Sequence, residues 1–249
     1  MNDQTHFKNF QYNKGSGTDF LGFDNGLRSL NGGINATLRP MNNGYDLLNN
    51  GLNNDWSIKN RKPIADLSLS MNIAHRWVSE SGRTLAMLGA VNYSNTYKTY
   101  LNMDNNLYGA YDITHDRSNY LRKGVDDQYN HNVRVGAMLN LTYVPASGNN
   151  RYEFKNIFNQ LGKDRYTYRK GTDAQSDYEE SAEYYYQSRT TYSGQFTGKH
   201  TWSDTDKLDW SAGYSYANRN MPDRRRYNTV LNTRPPSRRM WICSIRIGS

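Results

Sequence analysis

The sequence predicts an all-β fold, an antiparallel meander of long strands, from three observations. Residues 65–95 alternate apolar and small polar side chains in two arms, which a turn at 79–82 separates. A repeat of two residues is typical of a strand with two unlike faces. Helical periodicity is scarce. The alternation also recurs in four later stretches, at 133–143, 152–158, 184–202 and 208–216.

The chain begins with a weak alternation at His6–Tyr12, which predicts the end of a strand. Residues 13–60 are rich in Gly and Asn, contain Pro40 and show no sustained period. They predict a long irregular segment with a short helical turn near Tyr45–Leu48. Residues 1–63 are therefore expected to be a partial strand followed by a long loop.

The connections between the later strands alternate in length. The hairpin at 65–95 has a short turn, and the breaker-rich stretch at 96–127 predicts a long connection. Turn formers at 145–150 join the next two strands, and a charged loop is expected beyond Gly162. The last two strands flank a tight turn at 204–206. Neighbouring strands are thus expected to pair antiparallel, in a sheet with two unpaired edges.

The strands and their loops occupy residues 64–232. Residues 233–249 abandon the alternation. They are expected to form an aberrant, disordered tail, foreign to the rest of the chain.

Composition favours a membrane location for these strands. Mean hydropathy is −0.96 and only 36% of residues are hydrophobic, so a soluble domain would struggle to fill a core. A tilted arm of about eleven residues rises roughly 28 Å, close to the apolar band of about 25 Å in outer-membrane barrels. We therefore expect a section of a transmembrane outer-membrane β-barrel with long extracellular loops.

The charged residues separate the two faces of these strands. Positions on the apolar parity of six strands hold no Asp, Glu, Lys or Arg. A soluble β-sandwich could show the same separation, but aromatic residues cluster near both ends of the strands, as interfacial belts require. The lumen-facing candidates are Arg76, Arg134, Glu153, Lys155, Arg189, Lys199 and Asp209, and the interfacial aromatic anchors are Trp77, Tyr143, Trp202 and Trp210.

No motif in the chain predicts catalysis, a metal or a cofactor. The Gly-rich NKGSGTDF at 13–20 lacks the GK[ST] ending of a phosphate loop. The five histidines are not at metal-ligand spacing, and His75 and His200 suit an interface better. The acidic pairs at 126–127 and 179–180 are expected in loops, solvated, with calcium binding as a minor option. No nucleophile has a matching base, so no enzyme is predicted.

The formal charge of +8 would ordinarily suggest nucleic acid as a partner. Much of the excess, however, lies in the basic run at 224–226 and in the last sixteen residues. Nucleic acid is therefore not an expected partner. The single cysteine, Cys243, excludes a disulfide within the chain, and no secretion signal or run of 18 apolar residues is present.

Four stretches carry a resemblance to a known family: FLGFDNGLRSL at 20–30, NDWSIKNRKPIADLSLSMNIAHRW at 54–77, YEFKNIFNQLGKDRYTYR at 152–169 and MPDRRRYN at 221–228. They resemble the barrel of TonB-dependent receptors of the Bacteroidetes type. The resemblance implies a larger barrel, closed by an amino-terminal plug and energised through TonB. Because the chain shows neither a plug nor a closing aromatic strand, it is expected to be a fragment.

The resemblance implies uptake of a large nutrient, such as a metal chelate, glycan or peptide, across the cell outer membrane. Outer-membrane lipid, the TonB system and a surface lipoprotein are the expected partners. A complete small barrel with an adhesin or structural role is the alternative. A soluble β-protein that binds anionic polymers is a third hypothesis.

Overall fold

The computed structural model describes residues 9–28, 55–172, 177–231 and 241–247. Within these ranges it contains ten strands, one turn of 3-10 helix at Asp19–Leu21 and no α-helix. None of the described segments is a helix long and apolar enough to cross a membrane. The strands are β1 (Phe10–Tyr12), β2 (Lys59–Arg61), β3 (Leu67–Val78), β4 (Thr84–Asp104), β5 (Leu107–Asp112), β6 (Arg117–Val144), β7 (Asn150–Thr172), β8 (Tyr178–Thr201), β9 (Lys207–Leu231) and β10 (Trp241–Ile247).

The main sheet is an antiparallel meander, which confirms the all-β prediction. Its strand order is β10-β9-β8-β7-β6-β4-β3, so strands adjacent in the chain are adjacent in space. Strand β5 pairs only with the start of β6, and β1 pairs with β2 in a separate two-stranded sheet. Among the described residues no sheet closes on itself, and β3 and β10 are the two edges. This agrees with the expected pair of open edges.

The predicted hairpin at 65–95 is present. Leu67 pairs with Asn95 and Val78 with Thr84 in unbroken register. At the turn, the Ser79 amide donates to the Arg83 carbonyl oxygen (2.9 Å), and Gly82 takes φ +80°. Glycine adopts this left-handed backbone without the steric cost that a Cβ adds. The turn residue therefore fixes the register that the alternation requires.

Strands β4 and β6–β9 are 21 to 28 residues long, and all of them except β8 are far longer than predicted. The expected connection at 96–127 is largely the second half of β4, the hairpin partner β5 and the first half of β6. The expected charged loop beyond Gly162 is the second half of β7. The upper halves of these strands could not be predicted from the sequence, because tyrosines there alternate with charged or polar residues. Neither face of the strand is then clearly apolar.

Cross-strand register gives the sheet two consistent faces. Met71, Val91, Ala137, Phe158 and Tyr192 follow one another across five strands in one row, on the face that we call the apolar face. The next residue of each strand lies on the opposite face, which we call the polar face. We call the half of the strands near the short turns at 79–83, 145–149 and 202–206 the lower half.

Residues 9–28 and 55–61 form a layer on the upper half of the apolar face, and we call this layer the cover. Phe10 is 1% exposed and meets Tyr97 and Tyr129 edge-on, with ring centroids 5.2 and 5.7 Å apart. Tyr166 and Tyr184 complete the buried aromatic cluster. The core of the molecule thus lies under the cover. The strand predicted at His6–Tyr12 is β1, while the helical turn predicted near Tyr45–Leu48 lies outside the described residues.

The carboxyl-terminal stretch differs from expectation. Trp241–Ile247 forms strand β10 and pairs antiparallel with Arg225–Leu231 of β9, whereas disorder is expected over 233–249. Pairing at an open edge uses backbone groups and needs no alternation of side chains. The sequence pattern therefore gives no sign of this strand.

Candidate functional site

The seven lumen-facing candidates share the polar face. Arg76 and Glu153 belong to one row across the strands, through Ala86 and Thr142. Glu153 pairs with Lys155 (2.7 Å) and with Arg151 (2.6 Å). The remaining candidates lie in two further rows of the same face, Arg134 with Arg189 and Lys199 with Asp209, and the last two approach to 3.7 Å.

Three of the four aromatic anchors fall in a single row near the short turns. The row runs Trp77, Leu85, Tyr143, Tyr152, Gly198 and Trp210. The indole of Trp210 lies over Gly198, where a Cβ would come within 2.4 Å of the ring. Trp202 lies in the adjoining turn and is 68% exposed. An aromatic border thus follows the lower end of the apolar face.

His200 belongs to this border. The Trp210 indole N–H donates to His200 Nε2 (3.0 Å), and the other ring nitrogen lies 2.8 Å from Asn150 Oδ1. The Trp202 ring stacks on the imidazole at 6.1 Å. The second predicted interfacial histidine, His75, meets Trp77 edge-on at 4.4 Å. Both imidazoles therefore extend the aromatic row, and neither lies in a metal cluster among the described residues.

Above the aromatic row, the apolar face is exposed over five strands. Met71 is 68% exposed, Val91 54% and Leu139 41%. Phe154 and Phe196 continue this surface on β7 and β8, both 41% exposed. We call it the apolar band. A contiguous apolar surface of this kind marks an interface with lipid or protein rather than ordinary solvent-exposed surface.

A glycine contact fixes the cover to the sheet at the upper border of the apolar band. Gly22 takes φ +78°, and its backbone touches that of Gly162, where a Cβ would lie 2.5 Å from the Gly22 Cα. The Gly22 carbonyl oxygen accepts hydrogen bonds from Gln160 Nε2 (2.6 Å) and from the Ser188 hydroxyl (3.0 Å). Gln160 is fully buried. Two glycines are required because the backbones approach too closely for side chains.

The turn that carries Gly22 also presents apolar side chains to the outside. Phe20 is 58% exposed, Phe23 37% and Leu27 69%. The Tyr93 hydroxyl, in the uppermost row of the apolar band beside Leu69, donates to the Phe20 carbonyl oxygen (3.0 Å). The exposed apolar surface therefore continues from the band onto the cover.

A second contact holds the cover near β9. Trp56 meets Tyr184 edge-on at 5.5 Å, and the Tyr184 hydroxyl donates to the Trp56 carbonyl oxygen (2.7 Å). The Arg225 guanidinium lies over the Trp56 ring at 5.0 Å and donates to the Asp55 carbonyl oxygen (2.9 Å). Cation–π contacts of this kind strengthen when they are removed from water, and Arg225 is 3% exposed.

Pro222 explains how Arg225 reaches the cover. Tyr186 pairs with Asp223 but Ser188 pairs with Asn220, so one extra residue of β9 is accommodated around Pro222. Proline cannot donate a ladder hydrogen bond and is typical of such bulges. The bulge reverses the parity of β9 and turns Arg225 onto the apolar face.

The third contact of the cover contains a buried histidine. His131 is 8% exposed and stacks flat on Tyr97 with 4.4 Å between ring centroids. Arg61 lies 3.3 Å from His131 Nδ1, and Asn95 Oδ1 lies 2.8 Å from Nε2. Because Arg61 can only donate, the ring is neutral with its proton on Nε2. Burial, with a smaller effect of the Arg61 charge, lowers the pKa of His131 to about 3.

Acidification is expected to loosen this contact. The folded pKa of His131 lies below its unfolded value, so its contribution is present above about pH 6.5 and is lost as the pH falls. From pH 7 to pH 5 the loss is about 2 kcal/mol. The protection factors of the amides of 55–61, which are corrected for the slower intrinsic exchange at low pH, should fall by about thirtyfold over that interval in the protein extracted from membranes. In His131→Phe, which cannot titrate, this fall should disappear, and an unchanged pH response would contradict the assignment.

The polar face carries further ion pairs in its upper half. Asp126 accepts two hydrogen bonds from Arg169 (2.6 and 2.7 Å) and is 2% exposed. The pair with Asp126 raises the pKa of Arg169 above its usual value, against the smaller opposing effect of burial. Glu183 bridges Arg165 (3.2 Å) and Arg224 (3.1 Å). These pairs are missing from the sequence-derived candidates.

The expectation that the acidic pairs lie in loops is wrong. Asp126 and Asp127 lie within β6, and Glu179 and Glu180 lie within β8. Asp126 and Glu179 are buried, so their carboxylates bind neighbouring groups rather than water alone. Among the described residues, no group of three or more His, Cys, Asp or Glu side chains is arranged to hold a metal ion.

At the upper end, the β5–β6 hairpin presents an aromatic face. Tyr108 pairs with Tyr120, and Tyr111 pairs with Ser118, because a bulge adds one residue to β5 between them. The bulge places Tyr111 on the same face as the other two tyrosines. All three are about half exposed, and the rings of Tyr108 and Tyr120 lie 4.9 Å apart. Sequence alternation alone could not place Tyr111 there.

The four motif stretches meet in two pairs at the cover. Residues 20–28 contact Gln160 and Gly162, and Trp56 contacts Arg225. Comparison with protein-family models, with curated proteins and with solved structures gives no match. The two faces of the sheet and the cover are therefore the features that bear on the function of the chain.

Proposed function

We propose that this chain forms part of the wall of an outer-membrane transport receptor of the TonB-dependent kind, which takes up a large nutrient. The observation that carries the proposal is the exposed apolar band, bordered by an aromatic row on one face and backed by small polar and charged side chains on the other. A barrel wall needs one face for lipid and one for water.

A soluble β-sandwich is the less favourable explanation of the same faces. A sandwich buries its apolar face against a second sheet. In the described residues the cover lies on the upper half of that face, and the lower half remains exposed. From Trp77 in the aromatic row to Leu69 at the top of the apolar band, β3 spans eight residue steps, roughly 26 Å along the strand. At a barrel tilt of about 40° this rises about 20 Å, close to the apolar band of about 25 Å in membrane barrels.

The cover then lies outside the wall, above the lipid. Its lower turn, with Phe20 and Phe23 exposed, follows the upper border of the apolar band. The tyrosines of the β5–β6 hairpin lie at the same end as the cover, where long outward connections are expected to meet the nutrient. The polar face borders the water-filled route.

Antibodies against the two ends of the sheet test this location and orientation. One is raised against the tip of the β5–β6 hairpin at 112–117, and its matched control against the turn at 202–206. On intact cells that produce the native protein, the hairpin antibody should bind at once. The turn antibody should bind only after the outer membrane is opened. If neither antibody bound until the cells were lysed and the cytoplasm released, the proposal would be contradicted.

The small complete barrel is separated from a wall section by refolding. Open strand edges are not tolerated in a bilayer, so the 249-residue chain refolded alone in detergent should not give a heat-modifiable, protease-resistant monomer. Electrophoresis of boiled and unboiled samples measures this. A compact, protease-resistant species that unfolds only on boiling would contradict the wall section and support the small complete barrel.

A further inference from the structure

The middle of the polar face carries positive charge with no acid in the same rows of β4–β9. Five consecutive rows cross β4–β9 between Ile157 and Arg165 of β7, and no residue in these rows is Asp or Glu. On β7 and β8 these rows are flanked by Glu183 above and Glu153 below, each already bound to two cations. Asp66, just before β3, accepts a hydrogen bond from the Tyr97 amide (2.8 Å). We call the cations that remain the basic patch: Lys98, Arg134, Lys163, Arg189 and Arg219.

Register places three members of the basic patch in one row. The row runs from Arg134 through Leu161 to Arg189 and Arg219. Arg189 and Arg219 are directly opposite each other on neighbouring strands, and like charges in this position destabilise a sheet. Both are exposed, and Arg219 donates to Gln187 Oε1 (3.2 Å), a neutral acceptor.

Elsewhere on the polar face, several cations are paired with acids. Arg151 and Lys155 flank Glu153, Lys199 faces Asp209, and Arg169 is paired with Asp126. The basic patch departs from this arrangement in the middle of the face, where a cost in stability is incurred. An anion bound between the guanidinium groups would remove that repulsion, and arginine offers planar, paired donors to carboxylate and phosphate.

We propose that the basic patch is a binding site for a ligand that carries two or more carboxylate or phosphate groups. The proposal rests on the proposed function, because it takes the polar face as the route of the nutrient, and it names the charge class of that nutrient. The patch lies on the polar face between the ion pairs of Glu183 above and those of Glu153 below, so an anion passing along this face meets it midway.

Calorimetric titration of the full protein, extracted from outer membranes in detergent, tests the site. Citrate and pyrophosphate are the two probes, one for each anionic group, at low salt where charges act over about 30 Å. Saturable binding of either probe is expected. In Arg189→Gln/Arg219→Gln the affinity should fall at least about tenfold, because two charge-assisted contacts are lost. In the control Lys199→Gln, outside the patch on the same strand, it should change less than about twofold.

Thermal unfolding provides a second readout. Without probe, Arg219→Gln should raise the Tm of the protein, because it removes the opposed like charges. With citrate, the wild-type Tm should rise and that of the double variant should not. Absence of saturable binding, or an equal loss of affinity in Lys199→Gln, would overturn the site. Either result leaves the outer-membrane location to the antibody experiment, so the two failures are distinguishable.

Discussion

Replacing Leu139 with arginine is expected to destabilise the membrane-embedded barrel by roughly 2 to 4 kcal/mol. Leu139 lies midway across the apolar band, is 41% exposed, and pairs across the sheet with Gly89 and Asn156. None of these neighbours can neutralise a cation. The urea midpoint of the protein reconstituted in lipid bilayers measures the effect.

The matched control lies one residue further along β6. Asn140 faces the other side of the sheet, directly opposite Lys155. Asn140→Glu places a charge beside an opposite charge and should change the unfolding free energy by less than about 1 kcal/mol, whereas Leu139→Glu should cost clearly more. Equal losses at the two positions would show that the faces are assigned wrongly.

Removing Asp126 is the second change with a large expected effect. Asp126 and Arg169 have side chains only 4% and 16% exposed, and Asn105 also donates to the Asp126 carboxylate (2.7 Å). Asp126→Ala leaves a guanidinium group largely out of water without its partner, which costs about 3 to 5 kcal/mol. Urea unfolding of the protein in detergent measures this loss.

Two further variants test whether burial of the Asp126–Arg169 pair is the cause of this loss of stability. Asp209→Ala breaks a pair whose side chains are 62% and 67% exposed, and it should cost less than about 1 kcal/mol. Asp126→Leu combined with Arg169→Met removes both charges together and should recover most of the stability. A loss at Asp126 no larger than that at Asp209 would contradict the buried pair.

Alternation in the sequence was sufficient to predict the lower half of the sheet. In β3, successive side chains from Leu67 to Trp77 contrast so strongly that only a two-faced strand fits, and Gly82 fixes the turn. The seven lumen-facing candidates consequently share one face. Above the band the contrast fades, because tyrosines such as Tyr166 and Tyr184 are covered while charged residues alternate with them.

The cover could not be predicted because its contacts join residues far apart in the chain. Gly22 meets Gly162, and Trp56 meets Arg225. Nothing local distinguishes these residues from those of a flexible loop. The bulge at Pro222 could not be predicted either. Without it, the alternation of β9 places Arg225 on the polar face, whereas the structure places it on the apolar face.

The most direct test of the wall is to measure which solvent each face meets. Single cysteines at Leu139, Asn140, Phe154 and Lys155, in a Cys243→Ser background, carry a nitroxide label in the full protein reconstituted in lipid nanodiscs. Collision with oxygen, which dissolves in lipid, should dominate at 139 and 154, and collision with a water-soluble nickel complex should dominate at 140 and 155. Labels equally accessible to nickel at all four positions would contradict a lipid-facing band.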